Sequence, residues 1–513
     1  MKLLGSFAAV TALVAMPVSA AQAPQAPPKL LIAISVDQFS ADLFDSYRPY
    51  FTGGLARIAS GTVFRNGYQS HAATETCPGH STLLTAWHPS KTGIVANSWV
   101  DQSIGREDKT VYCAEDETVP GSTSTAYTVS AKHLDAQTLG DLIKKASPAS
   151  RNVAVAGKDR AAVMMGGRAV DQRWYWDGKT FASDNKAAKV PASVTAFNAA
   201  LEKALAQPRE AMTPPAFCAG KDEVYAVSPT LSVGNGRFTR KAGDTSEFRR
   251  SPDFDGATLA LSAALINELG LGRGAATDVL SVGLSATDYV GHAYGTGGME
   301  MCLQMAALDL QLGSFLATLD RNGLDYAVVL TADHGGLDIP ERLSDRGVAD
   351  AARVDPALVA SEVGKRIGGL LGLGGPVILG SGASGEFWIS TKLAPADRKR
   401  VLDMALKTYR AHPQVYAAVP KSQVAATPMP GGDPRGWTVL QRLRASFDPK
   451  RSGDFMVVLK PNITPIPAPS TGYVSTHGSP WDYDRRVPII FWRKGMAGSA
   501  RNDWADTVDL MPT

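Results

Sequence analysis

Four stretches of this chain are uninterrupted apolar runs, and three of them close on a carboxylate. They read LLIAISVD (30–37), NVAVAG (152–157), DVLSVGLSATD (278–288) and YAVVLTADHG (326–335). A strand that is apolar at every position, rather than at every second one, needs cover on both faces. Between the runs lie helical patterns such as DAQTLGDLIKKAS (135–147) and MCLQMAALDLQLGSFLATL (301–319), where apolar residues recur at three and four. The alternation predicts an α/β fold: a doubly wound, mostly parallel sheet flanked by helices. In such sheets ligands bind beyond the carboxyl ends of the strands. Asp37, Asp288, Asp333 and His334 all fall there.

Two regions break the alternation, about 165–255 and about 345–470, the second carrying GLLGLGGPVILGSGASG and NITPIPAPSTG. They are expected to be cap insertions beside one core that spans 29–513. GGLLGLGG lacks the Gly-Lys-Ser/Thr ending of a phosphate-binding loop and reads as a turn. No internal repeat is evident.

At the amino end, Lys2 precedes an apolar run broken by Pro17, and Val18-Ser19-Ala20 offers a small-residue cleavage point. Residues 1–20 therefore read as a secretory signal peptide, cleaved after Ala20 or Ala23 and followed by a Pro-rich linker from Pro24 to Pro28. The run is too short for a membrane span, and no later one reaches about eighteen uncharged apolar residues. The expectation is a periplasmic or secreted protein, acting as a monomer. The given chain ends at Pro512-Thr513, residues that would open a helix, so a truncated carboxyl terminus is expected.

Formal charge is only +3 and no basic stripe stands out, so no nucleic-acid scaffold is implied. Cys77, Cys113, Cys218 and Cys302 form no C-x-x-C pair, and export exposes them to an oxidising compartment. Three pairings of two disulfides are open; Cys77 with Cys113 and Cys218 with Cys302 close the shorter loops.

TDYVGHAYG sets Asp288 and His292 four residues apart, one face of a helical turn. LTADHGG adds Asp333 and His334, VSTHGSPWDYD adds His477, and Asp37 supplies a further carboxylate. Imidazole and carboxylate ligands without thiolate suit zinc or a related divalent ion, and six of them suffice for two metals. Two metals about 4 Å apart can clamp the attacking and leaving oxygens of an in-line phosphoryl transfer.

The nucleophile is then sought in HAATETCPGHSTLLTAWHP (71–89). TETCPGHSTL resembles the Thr-x-Pro-Gly/Asn-His motif of the alkaline phosphatase superfamily, in the branch shared by nucleotide pyrophosphatase/phosphodiesterases and threonine-nucleophile alkaline phosphatases of the PhoK/PafA type. The resemblance runs in order from Asp37 to His477. It implies that Thr76 is the nucleophile that becomes phosphorylated. It further implies that Asp288, His292 and His477 hold one zinc, and that Asp37, Asp333 and His334, with the Thr76 oxygen, hold the other. Thr74, His80 and Ser81 become supporting residues, and Cys77 half of a disulfide. A structural divalent ion such as Ca2+ in the insertions would be additional.

Asn97 in GIVANSW resembles the family asparagine that donates to a phosphoryl oxygen, and AGKDRAAV resembles the Lys-x-Arg motif of the phosphomonoesterase branch. Lys158 and Arg160 would then clamp the phosphate. A monoester dianion presents three terminal oxygens to such cations, whereas a diester carries a substituent on one of them. The expected function is an exported alkaline phosphatase that hydrolyses small-molecule phosphate monoesters through phosphothreonine. The alternative is a phosphodiesterase or nucleotide pyrophosphatase with the same metals and no need of the clamp. A sulfatase is disfavoured because CPGHS offers no Arg after the Gly. A non-catalytic zinc- or phosphate-binding protein would tolerate loss of the Thr76 hydroxyl.

Overall fold

The computed structural model describes residues 26–513, so the leader assigned to residues 1–20 lies outside the described residues. The nine strands of the main sheet are β1 (Leu30–Val36), β2 (Thr62–Tyr68), β3 (Asn152–Ala156), β4 (Gln172–Trp176), β5 (Phe181–Ala182), β6 (Asp278–Leu284), β7 (Tyr326–Thr331), β8 (Arg486–Arg493) and β9 (Ser499–Asp506). Their spatial order is β9-β2-β8-β7-β1-β6-β3-β4-β5. The five strands β7-β1-β6-β3-β4 run parallel, while β8 is antiparallel to both its neighbours and β5 to β4. This is the α/β, mostly parallel sheet that the apolar runs require.

Two helical layers cover it. α1 (Thr76–Leu83) and α2 (Asp159–Gly166) lie on one face; α3 (Asp253–Leu269) and α5 (Met299–Arg321) pack on the other, and α4 (Ala286–Tyr294) follows β6. The side-chain period of two divides the strands unequally. Leu30, Ile32, Ile34 and Val36 of β1 join Leu280, Val282 and Leu284 of β6 in the large core beneath α3 and α5. The other face carries Ala33, Ala154, Ala156 and Gly283. A Cβ on Gly283 would stand 2.8 Å from the Ala156 Cβ and 3.1 Å from that of Ala161. These small residues let α2 lie close to the sheet.

Among the described residues, α5 is the helix long and apolar enough to cross a bilayer. Here it is a core helix, with Leu303, Leu308, Leu312, Leu316 and Leu319 fully buried.

Residues 172–182, within the stretch expected to stand apart from about 165, are two strands of the main sheet. Gln-Arg-Trp-Tyr-Trp is buried at all five positions, and its aromatics gave no apolar run to read. Within about 345–470, Ile378–Leu379, Gly385–Ile389, Phe455–Leu459 and Val415–Pro420 form a second, antiparallel sheet with its own core around Phe387, Tyr409 and Phe455. Where this segment leaves and returns, Ala352–Arg353 pairs with Ile463–Thr464.

Both favoured disulfides are present, Cys77–Cys113 and Cys218–Cys302. The second closes a separation of 84 residues, which restricts the unfolded chain strongly. Replacing Cys218 and Cys302 together by serine is expected to lower unfolding stability by about 2–5 kcal/mol. Denaturant titration of the purified variant measures it, and a loss below about 0.5 kcal/mol would contradict the account.

Candidate active site

The carboxyl ends of adjacent strands deliver the charged groups side by side. Asp333 follows β7, Asp37 follows β1, Asp288 lies two residues into α4 beyond β6, and Lys158 follows β3. All four are 3% exposed or less. The Lys158 ammonium joins two of the carboxylates: its Nζ lies 2.6 Å from Asp37 Oδ2 and 2.5 Å from Asp288 Oδ2, and donates to Thr76 Oγ1 at 3.3 Å. Arg160 Nη2 donates to the same Thr76 oxygen at 3.4 Å. The two cations thus converge on the Thr76 hydroxyl.

The other candidates gather into two sets, Asp288 with His292 and His477, and Asp37 with Asp333 and His334, each with its ligand atoms within 4.8 Å of one another. The sets adjoin, since the rings of His334 and His477 stack with centroids 3.6 Å apart. Each imidazole is fixed by its far nitrogen. Nδ1 of His292 donates to Ser475 O, that of His334 to Gly335 O and that of His477 to Thr74 O, all at 2.8 Å. A carbonyl can only accept, so Nδ1 carries a proton in each ring, and a neutral ring would then turn the Nε2 lone pair toward the carboxylates.

Electrostatics show the same need for cations. Burial, with Asp288 and Asp333 nearby, pushes the Asp37 carboxyl well above the usual range. Burial also opposes ionisation of Asp288, but His292 and Lys158 outweigh it and hold that carboxyl well below its ordinary value. Burial lowers His334 to about 3, which leaves it neutral. Burial likewise opposes the Lys158 charge, and Asp288 with Asp37 overrides it, holding its pKa above the ordinary value.

Asp37 Oδ1, Asp288 Oδ1, Asp333 Oδ2 and His334 Nε2 are buried and make no hydrogen bond. Orphaned acceptors at this density are costly unless a cation takes them up. Hard oxygen and imidazole nitrogen donors fit divalent metal ions.

Residues 31–480 match the family described as type I phosphodiesterase / nucleotide pyrophosphatase. The chain belongs to this family. Among curated relatives, alkaline phosphatase PhoK of Sphingomonas sp. is 52% identical, over 95% of this chain and 88% of its own length. Alkaline phosphatase PhoD of Zymomonas mobilis is 45% identical, over 94% and 84%. The crystal structure of wild-type alkaline phosphatase PafA superposes with a TM-score of 0.81 across 96% of both chains at 23% identity, a likeness of fold. Murine ectonucleotide pyrophosphatase/phosphodiesterase 5 superposes at 0.55 with 13% identity, covering 94% of this chain and 93% of that one.

In this phosphodiesterase/nucleotide pyrophosphatase member, residues 74–80 form a hub. Asn97 Oδ1 accepts from Cys77 N at 2.8 Å and Asn97 N donates to Glu75 Oε2 at 2.7 Å, which ties Asn97 to the residues on either side of Thr76. His80 Nδ1 donates to Thr76 O at 2.9 Å and lies 3.1 Å from Asp333 Oδ2. Ser81 Oγ bonds Pro78 O and Thr92, inside the helix packing. Pro78 sits in the first turn of α1, where no backbone donor is required.

Several supporting groups gave no motif to read. Tyr112 and Tyr127 both donate to Asp159 at 2.8 Å, and Tyr112 accepts from Arg160 Nη1 at 3.4 Å. Burial pushes Asp255 up to about 7, and its carboxylate accepts from Ala286 N at 2.9 Å, anchoring the start of α4. Tyr289 lies beneath Lys158, whose Nζ is 5.1 Å from the ring centre; its place between Asp288 and His292 was the one available hint.

Gly79 shows why the motif needs a glycine. A Cβ there would lie 2.1 Å from the carbonyl oxygen of Asp333. α1, with Thr76 at its start, can approach Asp333 beyond β7 only without it. Gly79→Ala is therefore expected to lower kcat by at least about tenfold while the protein stays folded, because displacement of about 1 Å spoils attack geometry. Steady-state kinetics with circular dichroism tests this; unaltered kcat would refute the contact's role.

Proposed function

We propose that this protein is an exported, periplasmic or secreted, alkaline phosphatase that transfers the phosphoryl group of small phosphate monoesters to Thr76 and then to water. The observation that carries the reading is the convergence of Lys158 Nζ and Arg160 Nη2 on Thr76 Oγ1. The 52% identity to alkaline phosphatase PhoK supports the activity, and two disulfides support export.

Thr76 Oγ attacks phosphorus as the P–O bond to the alcohol breaks, the alcohol leaves and the Thr76 proton is lost; water then displaces the Thr76 oxygen from phosphorus and inorganic phosphate departs. Lys158 cannot accept that proton while two carboxylates hold its charge. Asp288, His292 and His477 would hold one divalent cation, and Asp37, Asp333, His334 and the Thr76 oxygen another; zinc suits the donors. Such ions would lower the pKa of a hydroxyl or a water and neutralise the carboxylates.

The chain's own donors act on the phosphoryl oxygens. Charge spreads over three of them in the loose transition state, so placed cations stabilise it. Arg160 presents a fork, Lys158 a point charge and Asn97 its amide nitrogen. Asp159, tied to Tyr112 and Tyr127, holds the start of the clamp helix in place. A diester would leave part of this donor set without an oxygen, which favours the monoester reading over the phosphodiesterase.

Thr76→Ala is expected to reduce turnover of p-nitrophenyl phosphate by at least about 10³-fold while inorganic phosphate still binds. Near wild-type turnover in that variant would overturn the nucleophile. Lys158→Ala and Arg160→Ala should each lower monoester kcat/KM by about 10²-fold or more, and bis-p-nitrophenyl phosphate by far less. Equal losses on both esters would point to the phosphodiesterase instead. Chelation should abolish activity and zinc restore it, with two ions per chain by elemental analysis.

A further inference from the structure

An open cleft of about 640 Å³ adjoins the outer side of the phosphate clamp. Its walls include Lys158, Arg160, Tyr127, Tyr289, Trp176 and Arg249. Only the first two belong to the phosphoryl site. Arg249 ends a short helix, Thr245–Arg249, and its guanidinium lies 5.3 Å from the centre of the Tyr289 ring. Lys158 sits 5.1 Å from the same ring centre. One aromatic ring therefore carries both cations, and the second is no farther from the first than those two distances combined.

Arg249 differs from its neighbours in having no anionic partner. Arg250, next in sequence, pairs with Glu247 at 2.5 Å, and Asp184 in the cleft wall is paired with Arg173 at 2.6 Å. The nearby carboxylates are engaged: Asp159 accepts from two tyrosine hydroxyls, and Asp177 accepts from the backbone of Lys179 and Thr180. Among the described residues, none forms an ion pair with Arg249. A guanidinium held over a ring, facing a polar cleft beside a phosphate clamp, offers its five donors to an anion.

We propose that Arg249 and Tyr289 form a second anion subsite, which selects phosphate monoesters whose leaving group bears another phosphate or a carboxylate. The inference rests on the phosphatase reading above and assigns it a substrate class. The scissile phosphate lies at Thr76 between Lys158 and Arg160. The carbon skeleton then spans Tyr289, and the second anion meets Arg249 in the cleft. No bond to that second group is made or broken.

The test compares fructose 6-phosphate with fructose 1,6-bisphosphate, measured as initial release of phosphate by the metal-loaded enzyme. Two equivalent phosphates alone give a preference of about twofold; a charge-assisted contact should raise it to about tenfold or more. Added salt should shrink the excess. Arg249→Ala should bring the kcat/KM ratio of the two sugars back to about the statistical value, and Arg249→Lys should retain part of the excess. Thermal melting checks that both variants fold. A wild-type ratio near two, or a ratio untouched in Arg249→Ala, overturns the subsite while monoester turnover leaves the phosphatase reading intact. Loss of all monoester turnover in wild type, with diesters cleaved, overturns that reading and the subsite with it.

Discussion

Three carboxylates lie at the ends of three adjacent parallel strands, almost wholly out of water, and the rest of the site answers to that concentration of charge. The strand order β7-β1-β6-β3 becomes the order Asp333, Asp37, Asp288, Lys158. Neighbouring strands lie about 4.8 Å apart, so the carboxylates cannot avoid one another. Lys158 meets two of them, His292 and His477 lie against Asp288, His334 lies against Asp37 and Asp333, and a set of acceptors is still left over. A fold that buries this much negative charge in one place is shaped for cations, and an anionic substrate then comes to them.

The sheet makes that arrangement reachable through what it leaves out. Its site-facing side is lined by alanine and glycine, while the opposite side takes the large aliphatic residues. α2 can therefore settle on β3 and β6 with Lys158 and Arg160 at its start. α1 approaches through Gly79 in the same manner. The Cys77–Cys113 bond joins the residue after Thr76 to the residue after Tyr112, which touches Arg160. Helix placement and site geometry are thus one packing problem.

Much of this was legible in the residues because strand ends are local. An apolar run closing on Asp37, or on Asp333-His334, needs no knowledge of tertiary contacts, and the Asp288–His292 spacing is a property of one helical turn. The cysteine pairing followed loop length. What escaped was the work of segments far apart in sequence. Tyr112 and Tyr127 reach Asp159 from the loop after the first disulfide half, and Arg249 reaches Tyr289 from another segment, with no spacing to announce either meeting. Residues 172–182 escaped for a different reason: a five-residue strand of Gln, Arg and aromatics lacks the aliphatic run that marked the others.

The backbone carbonyls behind the three imidazoles carry a last consequence. Because Ser475, Gly335 and Thr74 already fix each ring, folding itself supplies the conformational entropy needed to order the ligands. An incoming ion then meets donors that are already oriented, so its affinity is not eroded by ring ordering. Discrimination among ions then rests on donor hardness.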